Sequence, residues 1–287
     1  MKISVVMPVY NTKAEYLREA IESILNQTFK DFEFIILDDG SDKYVKEIVE
    51  TYKDVRIKYI ANEKNLGLVA TLNKGLEVAS GEYIARMDSD DISLPERFEK
   101  QISYMDKNPR VGVLGSWAET FPIRNIWKPA KHFSFVDLIN WSPFMIHPST
   151  MIRKAVITDY KIKYNSKLEL AEDYDFWQQI IHVAEIHNLQ EPLLRYRISG
   201  DNISIKKRDE SLRSFRKIQQ KSYDFLTTDE ILQNKIKRII HKHNRTGLLQ
   251  KRVKYIFFKL LWILFFKTNL FQNKMNNAKQ EIKRGGI

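Results

Sequence analysis

Apolar and polar positions alternate in blocks through the first ninety or so residues. "ISVVMPVY" (Ile3–Tyr10) and "FEFIILDDG" (Phe32–Gly40) are apolar runs that end in polar residues. Such runs suit strands buried on both faces. Between them Tyr16, Leu17, Ala20, Ile21, Ile24 and Leu25 recur at helical spacing, with Asn11 or Thr12 in place to cap the helix. The pattern predicts a second helix over Lys43–Tyr52, a strand "RIKYIAN" (Arg56–Asn62), a third helix over Leu68–Ala79 stopped by "SGE", and a strand running into "YIARMDSDD". This is βαβαβαβ order, which predicts an α/β fold: a mostly parallel sheet flanked by helices. In such sheets ligands bind beyond the carboxyl ends of the strands. The polar strand endings Tyr10–Asn11, Asp38–Asp39 and Asp88–Asp91 are therefore expected on one edge.

The middle of the chain is less regular. "VGVLGSWAETF" (Val111–Phe121) reads as a further strand and "IHPSTMIRKAVI" (Ile146–Ile157) as a strand or turn leading into a helix. "AEDYDFWQQIIHVAEI" (Ala171–Ile186) reads as a helix with acids at its start, where they suit the helix dipole. Beyond Ile205 the pattern is helical and basic. This predicts two parts, a domain over 1–205 and a helical extension over 206–287.

Charge sharpens that division. The whole chain of 287 residues carries a formal +11, yet residues 206–287 hold 21 Lys and Arg against 6 Asp and Glu. The first 205 residues hold 26 against 30. A basic region of this kind suggests a polyanionic surface as partner. Within it "VKYIFFKLLWILFFKTNLF" (Val253–Phe271) is dense in Phe, Leu, Ile and Trp, with lysines spaced through it. Its uninterrupted apolar run, Leu260–Phe266, is shorter than the ~20 residues that span a bilayer. The segment reads as an interfacial helix on anionic lipid, the alternative being a helix packed on the domain over 1–205 or in a homodimer. No nucleic-acid-binding module is recognisable, and the aromatics cluster apart from the arginines. There is no cysteine, which excludes disulfides and thiolate metal sites and fits a reducing cytoplasm. The N-terminus reads as a first strand, without the longer apolar region of a signal peptide.

The chemistry concentrates in two acidic clusters. "MDSDD" places Asp88, Asp90 and Asp91 within four residues. Carboxylates are hard ligands suited to Mg²⁺ or Mn²⁺. In an extended segment Asp88 and Asp90 point to one side while Ser89 faces away. The competing reading is local, because acids often precede helices; here "SLPE" (Ser93–Glu96) forms a capping box of its own. The second cluster is "LAEDYDFW" (Leu170–Trp177), where acids at a helix start also have an ordinary role.

Taken in order, "PVYN" (Pro8–Asn11), "LDDGSD" (Leu37–Asp42), "NEKNLGL" (Asn62–Leu68) and "MDSDD" resemble the inverting family 2 glycosyltransferases of GT-A fold, non-processive and of the bacterial glycan-assembly type. The resemblance covers about residues 1–205. It implies a nucleotide-sugar donor, such as a UDP-sugar, and a cofactor of Mn²⁺ or Mg²⁺. Pro8, Tyr10, Asn11, Asp39, Asn65, Gly67, Arg86, Asp88, Ser89 and Arg197 would line the nucleotide-sugar site, with Asp38 supporting the loop. Asp90, assisted by Asp88, would ligate the metal. Asp173 would be the general base and Glu172 its neighbour. His147 and Trp177 would lie toward the acceptor or a phosphate, with Arg153 nearby. The family commonly has a histidine after a Tyr-Arg pair where this chain has Ser199. The Gln-x-x-Arg-Trp motif of processive members is absent. The partners implied are a nucleotide-sugar donor, a glycan or lipid-linked saccharide acceptor and an anionic membrane surface, with the enzyme in the cytoplasm, peripheral to the membrane. Two alternatives are a sugar nucleotidyltransferase, whose Gly-rich basic phosphate loop is missing from "PVYNTKAEYL", and a degenerate membrane-bound scaffold.

Overall fold

The computed structural model describes residues 1–133, 145–168 and 170–199, with isolated positions between 210 and 218. Four parallel strands follow the expected order: β1 (Ile3–Val9), β2 (Phe32–Asp38), β3 (Ile57–Ala61) and β4 (Tyr83–Arg86). Helices α1 (Ala14–Leu25), α2 (Lys43–Glu50) and α3 (Leu68–Val78) connect them. A two-residue strand β5 (Ile92–Ser93) precedes α4 (Arg97–Lys107). Then come β6 (Val111–Phe121), β7 (Asn125–Trp127), β8 (His132–Phe133), a single 3₁₀ turn at His147–Ser149, β9 (Met151–Arg153), α5 (Lys154–Tyr160), α6 (Glu172–Ile181) and β10 (Glu185–Arg197). The main sheet runs β3-β2-β1-β4-β9-β6-β10-β5, with β9 antiparallel to both β4 and β6.

The period-two pattern of the strands builds both cores. Ile3, Val5, Met7 and Val9 of β1 and Phe32, Phe34 and Ile36 of β2 face one side, where α1, α2 and α4 bury Leu17, Ile21, Val45, Ile48, Phe98 and Ile102. Val6, Ile35, Leu37 and Ile84 face the other, against Val69 and Leu72 of α3 and Phe176, Trp177 and Ile180 of α6. All seven residues of β1 and of β2 are buried. Pro8 lies inside β1, but β4 ends opposite Val6. Its missing N–H falls just past the last β1–β4 pair.

Three local expectations are corrected. Neither Asn11 nor Thr12 caps α1; Lys13 stands at the N-cap position, and Asn11 takes a left-handed φ of 47° in the turn before it. The "SLPE" capping box does not form, since Ser93 is in β5 and its hydroxyl accepts from Gln27 Nε2 at 3.1 Å. The helix read over Ala171–Ile186 stops at Ile181, because Glu185 and Ile186 already pair with β6. The segment 253–271 lies outside the described residues, and among those described no helix is long and apolar enough to cross a membrane.

At the amino-end edge of the sheet, away from the strand ends that carry the acids, Glu33 is buried, with 1% exposure. Its Oε1 accepts from Ser4 Oγ at 2.5 Å, Ser80 Oγ at 2.6 Å and Ser80 N at 2.8 Å, while Lys58 Nζ reaches Oε2 at 2.5 Å. Burial alone would raise its pKa, but Lys58 and the serine donors outweigh it and hold the carboxyl near about 2. The stabilisation is thus present above the ordinary value of 4.5 and is lost as pH falls toward about 2. Glu33→Ala leaves these donors unmatched and is expected to lower the unfolding free energy by about 1–3 kcal/mol, read from urea denaturation at pH 7.

Candidate functional site

The strand ends gather as the topology requires. The loop after β1 is stitched to the loop after β2: Asn11 N donates to Ser41 Oγ at 3.0 Å, and Asn11 Oδ1 accepts from Asp42 N at 2.8 Å. It also reaches the loop after β4, where the Thr12 and Ser89 hydroxyls share a hydrogen bond of 2.6 Å. Tyr10, 54% exposed, stands open on this edge.

Asp38 and Asp39 organise the next wall. Asp38 accepts from Ser41 N at 2.8 Å and from the Tyr59 hydroxyl. Asp39 is buried and binds three donors of the following loop: Asn62 Nδ2 at 2.9 Å, Leu66 N at 2.8 Å and Gly67 N at 2.9 Å. Asn65 Oδ1 shares the Gly67 N–H at 3.1 Å. Gly40 is where two loops touch. Its φ is +74°, and a Cβ there would meet Lys64 C at 2.4 Å and Asn65 N at 2.6 Å. Only glycine permits that backbone and that approach.

The acid turn follows β4. One oxygen each from Asp88, Asp90 and Asp91 lies within 4.8 Å of the others. Burial, then the Asp88 charge, pushes the Asp90 carboxyl up to about 6 and holds Asp91 well above the ordinary carboxylate range. Asp91 is buried; Oδ1 accepts from Arg197 N at 2.8 Å, and Oδ2 has no hydrogen-bond partner among the described residues. It belongs to the acid cluster, not to a helix start. Converging hard oxygens that carry more negative charge than their surroundings offset fit a divalent cation.

Arg86, the last residue of β4, joins this cluster to the second one. It is buried and paired with Asp88, and its Nε has no hydrogen-bond partner among the described residues. Its charge also acts on Glu172 and Asp173, in the first turn of α6. Burial raises both of those carboxyls, Glu172 to about 7 with help from the Asp173 charge, and Asp173 to about 6 against the Tyr174 N–H it accepts at 2.8 Å and against Arg86. Leu170, just before them, takes a left-handed φ of 69°, and backbone strain of this kind concentrates at functional sites.

The remaining expected residues fall nearby in different roles. His147 Nε2 bonds the Tyr164 hydroxyl at 2.9 Å, and burial, then the Arg86 charge, keeps the imidazole neutral. Trp177 is fully buried, its ring 5.7 Å from that of His147, so it is a core residue and not an acceptor floor. Arg153 is tied to Tyr83 and to the Val111 and Met105 carbonyls. Arg197 lies beneath the acid turn. Its Nε donates to Asp90 O at 2.7 Å, it pairs with Glu19, and its guanidinium lies 3.9 Å from the Tyr16 ring and 4.3 Å from that of Phe121. Ser199 lies just past β10. Tyr196 was missed in the sequence. Burial and the three aspartate charges raise its phenol, which places it against the acid turn, with the half-exposed Trp127 ring 4.8 Å away.

Residues 4–167 match the description "Glycosyl transferase family 2". The chain belongs to glycosyl transferase family 2. This family 2 enzyme is 41% identical over 244 residues to an uncharacterised glycosyltransferase of Methanocaldococcus jannaschii, covering 81% of this chain and 80% of that one. It is 35% identical over 240 residues to one from Haemophilus influenzae, covering 78% and 73%. Among solved structures it is similar to S. aureus TarS 1–349 in complex with UDP-GlcNAc, at a TM-score of 0.66 and 24% identity over 76% of this chain and 65% of that one. It is also similar to the mannosyltransferase PcManGT of Pyrobaculum calidifontis in complex with GDP-Man and Mn²⁺, at a TM-score of 0.57 and 15% identity over 98% and 86%. Both structural likenesses concern the GT-A fold.

Proposed function

We propose that this glycosyltransferase is an inverting, metal-dependent enzyme. It moves one sugar from a nucleotide-sugar, a UDP-sugar, to a hydroxyl of a sugar acceptor, a lipid-linked glycan in cell-surface polysaccharide synthesis. The observation that carries this reading is the convergence of two acidic clusters on one buried arginine at the carboxyl edge of the sheet. The ligands of the two structural neighbours, UDP-GlcNAc in one and GDP-Man with Mn²⁺ in the other, support the donor class and the cation.

In this mechanism Tyr10, Asn11, Asp39, Asn65 and Gly67 border the nucleoside, and Asp38 and Gly40 keep their loops in place. Asp90, Asp88 and Asp91 would hold Mn²⁺ or Mg²⁺, which would supply positive charge to offset that developing on the leaving diphosphate. Arg86 stands beside the same charge. Asp173 takes the proton from the acceptor hydroxyl as that oxygen attacks the anomeric carbon. A carboxyl raised to about 6 is ionised at neutral pH and still basic enough for that task. Glu172 is raised further, to about 7, by burial and then by the Asp173 charge, so the two carboxyls are not both fully ionised at neutral pH.

A panel of nucleotide-sugars incubated with the enzyme and Mn²⁺ tests the reading. The expected result is release of the nucleoside diphosphate from one donor, abolished by EDTA. Release of pyrophosphate would identify a nucleotidyltransferase instead, and turnover indifferent to EDTA would remove the metal. The basic region 206–287, of which only isolated positions are described, is assigned to the membrane surface. Deleting 251–287 is expected to move the protein from the membrane fraction to the soluble fraction and to lower activity on a lipid-linked acceptor.

A further inference from the structure

Arg97 opens α4 within "PERFEKQ", a stretch whose composition suggests a solvated helix start. It is instead fully buried, at 0% exposure, and among the described residues no carboxylate lies within ion-pair distance. A buried guanidinium without a direct counter-ion is costly. Four directed groups receive its donors. Nη2 donates to Arg86 O at 2.8 Å and to Thr150 O at 3.1 Å, Nε to Gln101 Oε1 at 3.1 Å, and Nη1 faces Met87 Sδ at 3.7 Å. Gln101 extends the clamp, giving its Nε2 to Ser149 O at 2.8 Å and to Leu114 O at 3.0 Å.

The two carbonyls on Nη2 belong to the elements that carry the site. Arg86 is the last residue of β4, directly before the acid turn. Thr150 closes the 3₁₀ turn that holds His147, and its carbonyl also accepts the Arg86 N–H at 2.9 Å. Thr150 N and Oγ1 in turn bond His147 O at 3.1 and 2.8 Å. Arg97 therefore fastens the base of the acid turn to the His147 turn from inside the core. Its charge also acts on the buried Asp91.

We propose that Arg97 is a positioning residue of the transfer site: its buried fork fixes the end of β4 against the His147 turn and so sets the affinity of the Asp88, Asp90 and Asp91 cluster for a divalent cation. The inference rests on the metal reading above. A lysine would keep the charge but not the fork geometry that reaches two carbonyls and Gln101 at once. Groups that orient metal ligands from behind alter metal affinity or activity by about 10–100-fold when removed.

The test is Mn²⁺ binding to the full chain, followed by the EPR signal of free Mn²⁺ with UDP or GDP present, well below the melting temperature. Arg97→Lys and Arg97→Met are compared with Ile48→Ala, a core truncation on α2. The expected result is an Mn²⁺ dissociation constant raised about 10–100-fold in both Arg97 variants, higher Mn²⁺ needed for half-maximal turnover, and unchanged Mn²⁺ affinity in Ile48→Ala. Should Arg97→Met not fold, Arg97→Lys alone decides. Wild-type Mn²⁺ affinity in the Arg97 variants, or equal loss in Ile48→Ala, overturns the inference. Absence of Mn²⁺ binding by the wild type under every nucleotide condition overturns the metal assignment itself, and this inference with it.

Discussion

Asp173→Asn is expected to lower kcat for glycosyl transfer by about 10²–10⁴-fold, the contribution of a positioned general base. The protein should stay folded, because the substitution is isosteric and removes a charge that burial disfavours. Donor binding should change little, since Asp173 acts on the acceptor hydroxyl. The pH profile gives a second reading. Burial raises the Asp173 carboxyl to about 6 and its partner Glu172 to about 7, and the base works only when ionised. Activity of the wild type should therefore rise with pH through the interval from about 6 to about 7 and level off above it. In Asp173→Asn the residual rate should lose the part of this rise that belongs to the base. A variant that transfers sugar at the wild-type rate with an unchanged profile would place the base elsewhere.

Asp90→Asn is expected to have the next largest effect, and in two opposite directions. Transfer should fall by about 10³-fold, because a cation stabilising the departing diphosphate is worth several kcal/mol. Stability without metal should rise at neutral pH. The Asp90 carboxyl is raised from 3.8 to about 6 by burial and the Asp88 charge, so its ionised form is disfavoured in the fold. That penalty is absent below the ordinary value, grows as pH rises toward about 6 and is fully present above it. The metal-free wild type should therefore melt at a lower temperature at pH 7.5 than at pH 5, and Asp90→Asn should narrow the gap. Added Mn²⁺ should raise the melting temperature of the wild type and not that of the variant. Equal stabilisation of both proteins by Mn²⁺ would mean that Asp90 is not a ligand.

Much of this site was legible because the parallel half of the sheet is written in local pattern. Apolar runs of β1 and β2 ending in polar residues fixed which loops meet, and the stitching of Asn11 to Asp42 and of Thr12 to Ser89 follows from that order. What was not legible depends on partners distant in the chain. Ser93 pairs with Leu194 of β10 and its hydroxyl bonds Gln27, 66 positions away, while α4 begins only at Arg97, so the capping box has no helix start to cap. The helix through Ile186 was over-read because "IIHVAEI" has helical spacing, whereas pairing with β6 draws Glu185 and Ile186 into a strand whose bulges around Pro192 blur its alternation. Trp177 satisfies the same apolar periodicity whether it lines a cleft or fills a core. Arg97 looks like a surface charge because the carbonyls that hold it are 11 and 53 positions away. Asp91 stands just before "SLPE", where an acid reads as easily as part of a helix start, yet no helix begins until Arg97, and the backbone of Arg197 claims its carboxylate.

The central claim is a single displacement in which Asp173 drives the acceptor oxygen onto the anomeric carbon opposite the diphosphate held at the acid turn. The anomeric configuration of the first-formed product, read by ¹H NMR from the H1–H2 coupling during turnover of an α-linked nucleotide-sugar, tests it most directly. The account predicts a β-linked product, formed only with a divalent cation present. An α-linked product would show retention and contradict it.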